Sequence, residues 1–384
     1  MKKSFLIASI AIAGLTGCFS KGDSPYQEQL YSAESFFLNF EVDKSIAIIE
    51  ELKSEKDLPD RYYSIAVKSY VRKQNFAKAF EVLAQWDKVS KKEHNSEYKE
   101  VLISYLRNFI SKDSKTLKFE AIVTLGEIKD FASKKALMDM FSQKSRAIRV
   151  AVCYSLFLLG DGERALGYLK DRSMYSSLNS RFLASVLLTQ LEIEALKDTY
   201  VQMLQDPEPA IQALAIKSLV ALDLRDEVSK IETVYQESYT SQMKMLCSWA
   251  MAKMGKSSYK SVLKSYIKNE KTKTIAQLYL LRLGDDTYLE PVLSNLDKLD
   301  NESRFLVYEY LKDNNQLELV EKEIKSVLGD FMGDVLTKKL AIEMIIKHKI
   351  PVKKELLQSQ LSSPFPEVRL AGTRALLLSG LLDK

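Results

Sequence analysis

A helical pattern returns nine times between residues 117 and 368, and this recurrence limits the fold more than any single residue does. Registered on one apolar face, the units start at Leu117, Ile148, Ser180, Ile211, Met243, Thr272, Ser303, Thr337 and Val368, 29 to 34 residues apart. Four positions after each start stand Ala121, Val152, Ala184, Ala215, Cys247, Ala276, Val307, Ala341 and Gly372, all small enough for helices to approach closely. Eight positions after it stand Leu125, Leu156, Leu188, Leu219, Met251, Leu280, Leu311, Ile345 and Leu376, all apolar. Gly160, Gly255, Gly284 and Gly380 close four units where a left-handed cap would sit. A fixed period of this length makes each unit one supersecondary element that buries its apolar face only by stacking on its neighbours. The polar starts Ser180, Thr272, Ser303 and Thr337 are the weakest, and residues 328–334 read as an inserted turn.

These columns, with the signatures Val368-Arg369 and Leu283-Gly284-Asp285, resemble HEAT repeats of the short bacterial kind. The resemblance implies an all-α, right-handed α-solenoid of stacked helix pairs over residues 111–384. Solenoid ends need covering. The last helix runs almost to Lys384, and its end is expected to be less well covered than the front.

Residues 26–110 are helical and rich in aromatics, and two stretches superimpose with an offset of 34 residues. Phe36 matches Tyr70, Val42 matches Phe76, Ser45 matches Ala79, Ile49 matches Leu83 and Leu52 matches Trp86. This resembles the tetratricopeptide repeat, in a first copy made degenerate by Ser45. Tyr98 to Ile110 lacks the pattern and reads as a transition.

Lys2 and Lys3 precede the apolar run from Phe5 to Ala13, and Leu15-Thr16-Gly17-Cys18 follows. A basic start, a short apolar run and small residues before a cut make an export leader, here 1–17. The four residues ending in Cys18 resemble the lipobox of bacterial lipoproteins. That resemblance implies a lipidated Cys18 and, with Phe19 and Ser20 following it, an outer-membrane destination in the cell envelope. Residues 18–25, punctuated by Gly22 and Pro25, read as a tether.

The whole chain carries a net charge of +5. Losing Lys2 and Lys3 with the leader leaves about +3, too little for a polyanion binder, so no nucleic acid is expected. His94 sits in a charged loop and His348 between two lysines, and no cysteine or carboxylate stands at ligand spacing around either, so both are expected at the surface and no metal is expected. No metalloprotease, serine-hydrolase, phosphate-loop or dinucleotide motif is present. The sequence therefore predicts a protein that is not an enzyme and has no cofactor or small-molecule substrate. Cys153 and Cys247 stand three units apart, too far to bridge, and are expected as free buried thiols.

Two sets of cations are candidates for binding a partner. One position after each start lies a mostly basic column, from which Arg149, Arg181, Lys244, Lys273 and Arg304 are the candidates, and Lys118, Lys338 and Arg369 continue the row. In HEAT repeats the equivalent arginine commonly pairs with an acid as a ladder between repeats, and Asp113 and Asp206 offer such acids here. The ladder and a groove for an acidic partner both remain open. Arg61, Lys68 and Arg72 lie near one face of a tetratricopeptide-like helix and could receive a carboxylate. The sequence reads as an envelope lipoprotein, anchored through Cys18, that serves as a protein-interaction scaffold or assembly factor. The alternatives are an enzyme subunit with a small-ligand site on a HEAT-like scaffold and a purely structural envelope lipoprotein.

Overall fold

A computed structural model describes residues 26–314, 316–330 and 332–383. The leader, the lipidation site and the tether lie outside them. The described residues contain helices and no strand, and no helix among them is long and apolar enough to cross a membrane. The chain divides into two compact units, one up to Val101 and one from Leu102 on.

The first unit contains α1 (Gln27–Leu38), α2 (Val42–Leu52), α3 (Asp60–Arg72) and α4 (Phe76–Ser90), and α5 (Asn95–Ile110) runs through its end. α1 packs on α2 and α3, and α3 on α4, as two helix pairs do when they stack. Ser45, the residue that weakens the repeat pattern, is fully buried with its hydroxyl 3.0 Å from that of Ser69, so its polarity is satisfied within the stack. Tyr62, Tyr63, Tyr70, Phe76 and Trp86 are buried, and Trp86 stacks on Tyr63 at 6.0 Å.

The second unit continues with α6 (Lys115–Glu127), α7 (Lys134–Met140), α8 (Arg146–Leu158), α9 (Gly162–Met174), α10 (Leu178–Gln190), α11 (Lys197–Met203), α12 (Pro209–Ala221) and α13 (Val228–Glu237). After these come α14 (Ser241–Lys253), α15 (Tyr259–Tyr266), α16 (Lys273–Leu281), α17 (Leu289–Leu293), α18 (Asn301–Asp313), α19 (Leu317–Gly329), α20 (Val335–His348), α21 (Lys354–Gln360) and α22 (Pro366–Leu378). The nine registered units correspond to the even-numbered helices from α6 to α22, and in eight of them the registered start is the third helical residue. That position has a physical reason. Its backbone N–H is the one an N-cap side chain reaches, and the side chains of Ser114, Ser145, Thr240, Asp300 and Asp334 accept from Leu117, Ile148, Met243, Ser303 and Thr337. The polar starts Ser303 and Thr337 are thus held by the two acidic caps, each at 2.7 Å.

Among the described residues, eight of the nine units end alike. Lys129, Gly160, Glu192, Asp223, Gly255, Gly284, Lys349 and Gly380 all have φ between 49° and 108°. The next N–H commonly returns to the carbonyl of the apolar eighth-position residue, as from Asp161 to Leu156 at 2.8 Å and from Lys256 to Met251 at 2.8 Å. Glycine adopts this conformation without strain, so the four glycines are legible in the sequence while the four other residues are hidden.

Both columns are buried as their spacing predicts. Ala121, Val152, Ala184, Ala215, Cys247, Ala276 and Val307 have no exposure, nor do Leu125, Leu188, Leu219, Met251, Leu280, Ile345 and Leu376. Cys153 and Cys247 are free and buried, and burial pushes both thiols up to about 12.

The end of the second unit departs from expectation. Each even-numbered helix packs on the next, and α22 also packs on α6, so the row closes on itself. The last helix is therefore covered, because the curvature accumulated over nine repeats returns the chain to its first repeat.

Candidate functional site

The first unit carries a cleft of about 270 Å³ between α1 and α3. Glu34, Phe37 and Leu38 line it from α1, Asp60, Arg61, Ser64, Ile65 and Lys68 from α3, and Trp86 closes its floor from α4. Residues 61, 64, 65 and 68 recur at helical spacing, so one face of α3 supplies most of the wall. Arg61 pairs with Glu34 and lies 3.9 Å over the Tyr31 ring. Trp86 Nε1 donates to Asp60 at 2.8 Å. Three of the four charged groups are thereby engaged. Lys68 is exposed and makes no hydrogen bond or ion pair among the described residues. Arg72 lies 3.8 Å over Phe37 and 4.9 Å over Phe40, and it donates to the Phe37 carbonyl at 2.5 Å. Tyr31, Leu38 and Phe40, on α1 and in the turn that follows it, are 52%, 64% and 78% exposed.

The basic column is largely occupied inside the molecule. Arg181 donates to Asp206 through Nε at 2.8 Å and to the Ser176 carbonyl at 2.9 Å, joining its own turn to the next. Arg304 donates to the carbonyls of Leu296 and Leu299, and Arg369 to those of Ser363 and Pro364. Lys273 pairs with Glu270 at 3.1 Å, and Lys244 lies 5.7 Å over the Tyr235 ring. Arg149 is half-buried and its Nε is without a partner.

Two ionic clusters that the sequence did not single out lie on the closed row. In the first, Arg374 of α22 donates through Nε to Glu127 of α6 at 2.6 Å and through Nη2 at 2.9 Å, and it also pairs with Glu343 of α20. Burial opposes the charge on Arg374, but Glu127 and Glu343 outweigh it and hold the guanidinium above its ordinary range. Burial pushes the Glu343 carboxyl up, Arg374 draws it down, and the nearby Glu127 adds to the rise. Lys339 of α20 pairs with Glu120 of α6.

In the second cluster, Glu309 of α18 lies 3.2 Å from Arg282 Nη2, 3.1 Å from Lys347 Nζ and 3.1 Å from His348 Nε2. Burial alone would raise this carboxyl, yet His348, Lys347 and Arg282 together hold it at about 2. A signal for both clusters was present. Six positions after the start stand Glu309, Glu343 and Arg374 in the last three units, where most earlier units carry apolar or aromatic residues.

Neither histidine is a surface group. His94 stacks on Trp86 at 3.8 Å and its Nδ1 lies 2.9 Å from Asp87, while His348 keeps 10% of its side chain exposed beside Glu309.

No family model matches the chain, and no curated protein matches it. Among solved structures it is similar to the complex of CpcE and CpcF of phycocyanin lyase from Nostoc sp. PCC7120, at 16% identity and a TM-score of 0.38, over 56% of this chain and 87% of that one. The expectation that the chain is not an enzyme is corrected by this finding, since the similar structure is that of a lyase. The likeness is too slight to assign a substrate or a reaction to this chain.

Proposed function

We propose that the protein is a helical interaction scaffold of the bacterial cell envelope, held at the outer membrane by lipid on Cys18, and that the cleft between α1 and α3 receives a segment of a partner protein. The observation that carries the reading is the cleft itself. Apolar surface from Phe37, Leu38, Ile65 and Trp86 lies beside the uncommitted ammonium of Lys68. A short segment with an apolar side chain next to a carboxylate suits that lining: the side chain gains by leaving water, and the carboxylate meets a cation that has no other partner. Arg61 supports the wall by its pairing with Glu34 and its stacking on Tyr31.

The experiment is photo-cross-linking in intact cells from an analogue placed at Leu38, with the exposed Glu237 of the second unit as control. A defined adduct from position 38 that disappears with Lys68→Glu supports the cleft. The same set of adducts from both positions overturns it. Membrane attachment is tested separately, by Cys18→Ser. Release into the soluble fraction is expected, and retention at high salt would rule out the lipid anchor.

A further inference from the structure

We propose that the contact between α22 and α6 is a clasp, at which the closed row of the second unit opens while the seams between successive even-numbered helices stay shut. The observations concern the second unit alone and are independent of the cleft.

At the successive seams, a helix and its neighbour are joined through the odd-numbered helix between them, and they pack through the small and apolar columns, to which Glu309 adds ion pairs on either side of α18. The α6–α8 seam shows the limit of this packing. Gly126 lies so close to α8 that a Cβ there would stand 2.5 Å from the Ser155 Cα, and Ser155 donates across the seam to the Ile122 carbonyl at 2.7 Å. Such a seam has no slack.

The α22–α6 seam has no linking helix, since its two sides are 247 residues apart at the Arg374–Glu127 pair. Its specific bonds are ionic or polar. Arg374 is shared between Glu127 and Glu343, Lys339 of α20 pairs with Glu120 of α6, and beside them Arg369 Nε donates to Tyr105 Oη of α5 at 3.3 Å. Tyr154 of α8 is buried within the field of the same Glu127, Arg374 and Glu343. No linking helix holds this seam, and charged groups return to water at less cost than apolar ones, so it is the one that parts without unfolding the rest. On opening, α22 keeps its packing on α20 and α21.

Native-state hydrogen exchange of the full chain tests the clasp. In the unaltered protein, amides of α6 and α22 are expected to exchange roughly tenfold faster than those of α10, α12 and α14. Arg374→Met should speed α6 and α22 by roughly a further tenfold and leave α10 to α14 unchanged. The exchanged pair Glu127→Arg with Arg374→Glu, made together with Glu343→Gln so that no second carboxylate faces position 374, should restore protection. Equal protection of all even-numbered helices in the unaltered chain overturns the clasp, as does a uniform rise across them in Arg374→Met. If Arg374→Met fails to fold, the unaltered chain alone decides the matter.

Discussion

Helix α6 has two even-numbered neighbours, and it meets them by opposite means. Against α8 it offers Gly126 and receives the backbone and hydroxyl of Ser155, with apolar side chains on either side. Against α22 it offers Glu127 and Glu120, and it receives Arg374 directly and Lys339 from beyond. The first seam joins helices that the chain already holds close, so close packing suffices. The second must select one helix from among nine with nearly the same apolar columns. Apolar contact is non-directional and cannot make that choice, whereas a bidentate guanidinium–carboxylate pair has a fixed register. The contrast teaches that a repeat array closes where its repeats stop being alike.

The strongest challenge to this contrast is acid. Glu309 joins α16, α18 and α20, which follow one another in the row, so ionic seams are not confined to the closure. Its carboxyl is held at about 2 in the folded protein, below the ordinary value of 4.5. Stability from this group is present above the ordinary value and is lost as the pH falls toward about 2. The loss should reach up to ~3 kcal/mol. Chemical unfolding at stepped pH should show it, and Glu309→Gln should flatten that part of the profile.

Next in size is the tight seam. Gly126→Ala pushes a methyl group into the α8 backbone and should cost about 2–3 kcal/mol in thermal or urea unfolding. Tolerance of alanine there would show that the seam has slack after all, and the contrast would weaken.

The closing seam gives a smaller and asymmetric effect. Glu127→Gln leaves the largely buried Arg374 with one half-exposed carboxylate and should cost about 2 kcal/mol. Glu343, with 42% of its side chain exposed, pairs with the same guanidinium. Glu343→Gln should change stability by less than about 1 kcal/mol. Equal losses would mean that both carboxylates hold the clasp alike.

The smallest effects lie at the unit ends. Lys129, Glu192 and Asp223 occupy the left-handed position that glycine fills elsewhere, with φ of 55°, 49° and 50°. Each change to glycine should add about 0.5–1 kcal/mol to the midpoint stability in urea. A loss at any one of them would point to a contact of the replaced side chain.

Much of this architecture was legible in the residues. The small and apolar columns located nine helices and their buried faces, and Gly160, Gly255, Gly284 and Gly380 marked their ends. The cleft was legible only in part. Arg61, Lys68 and Arg72 share a face by spacing, but their fates differ for reasons outside that helix: Glu34 takes Arg61, Phe37 and Phe40 take Arg72, and nothing takes Lys68. The histidines were misplaced because charged neighbours in sequence said nothing of Trp86 and Glu309, which approach from other helices.

The sequence by itself determined that this is an array of helix pairs, because helical periodicity and a repeating small-residue column are local properties that each unit carries alone. Only the tertiary structure decided that the array closes. Closure depends on the sum of small rotations over nine seams, and no column records a sum. It also depends on Arg374 of the last unit finding Glu127 of the first, a pairing that only the folded row brings within 2.6 Å.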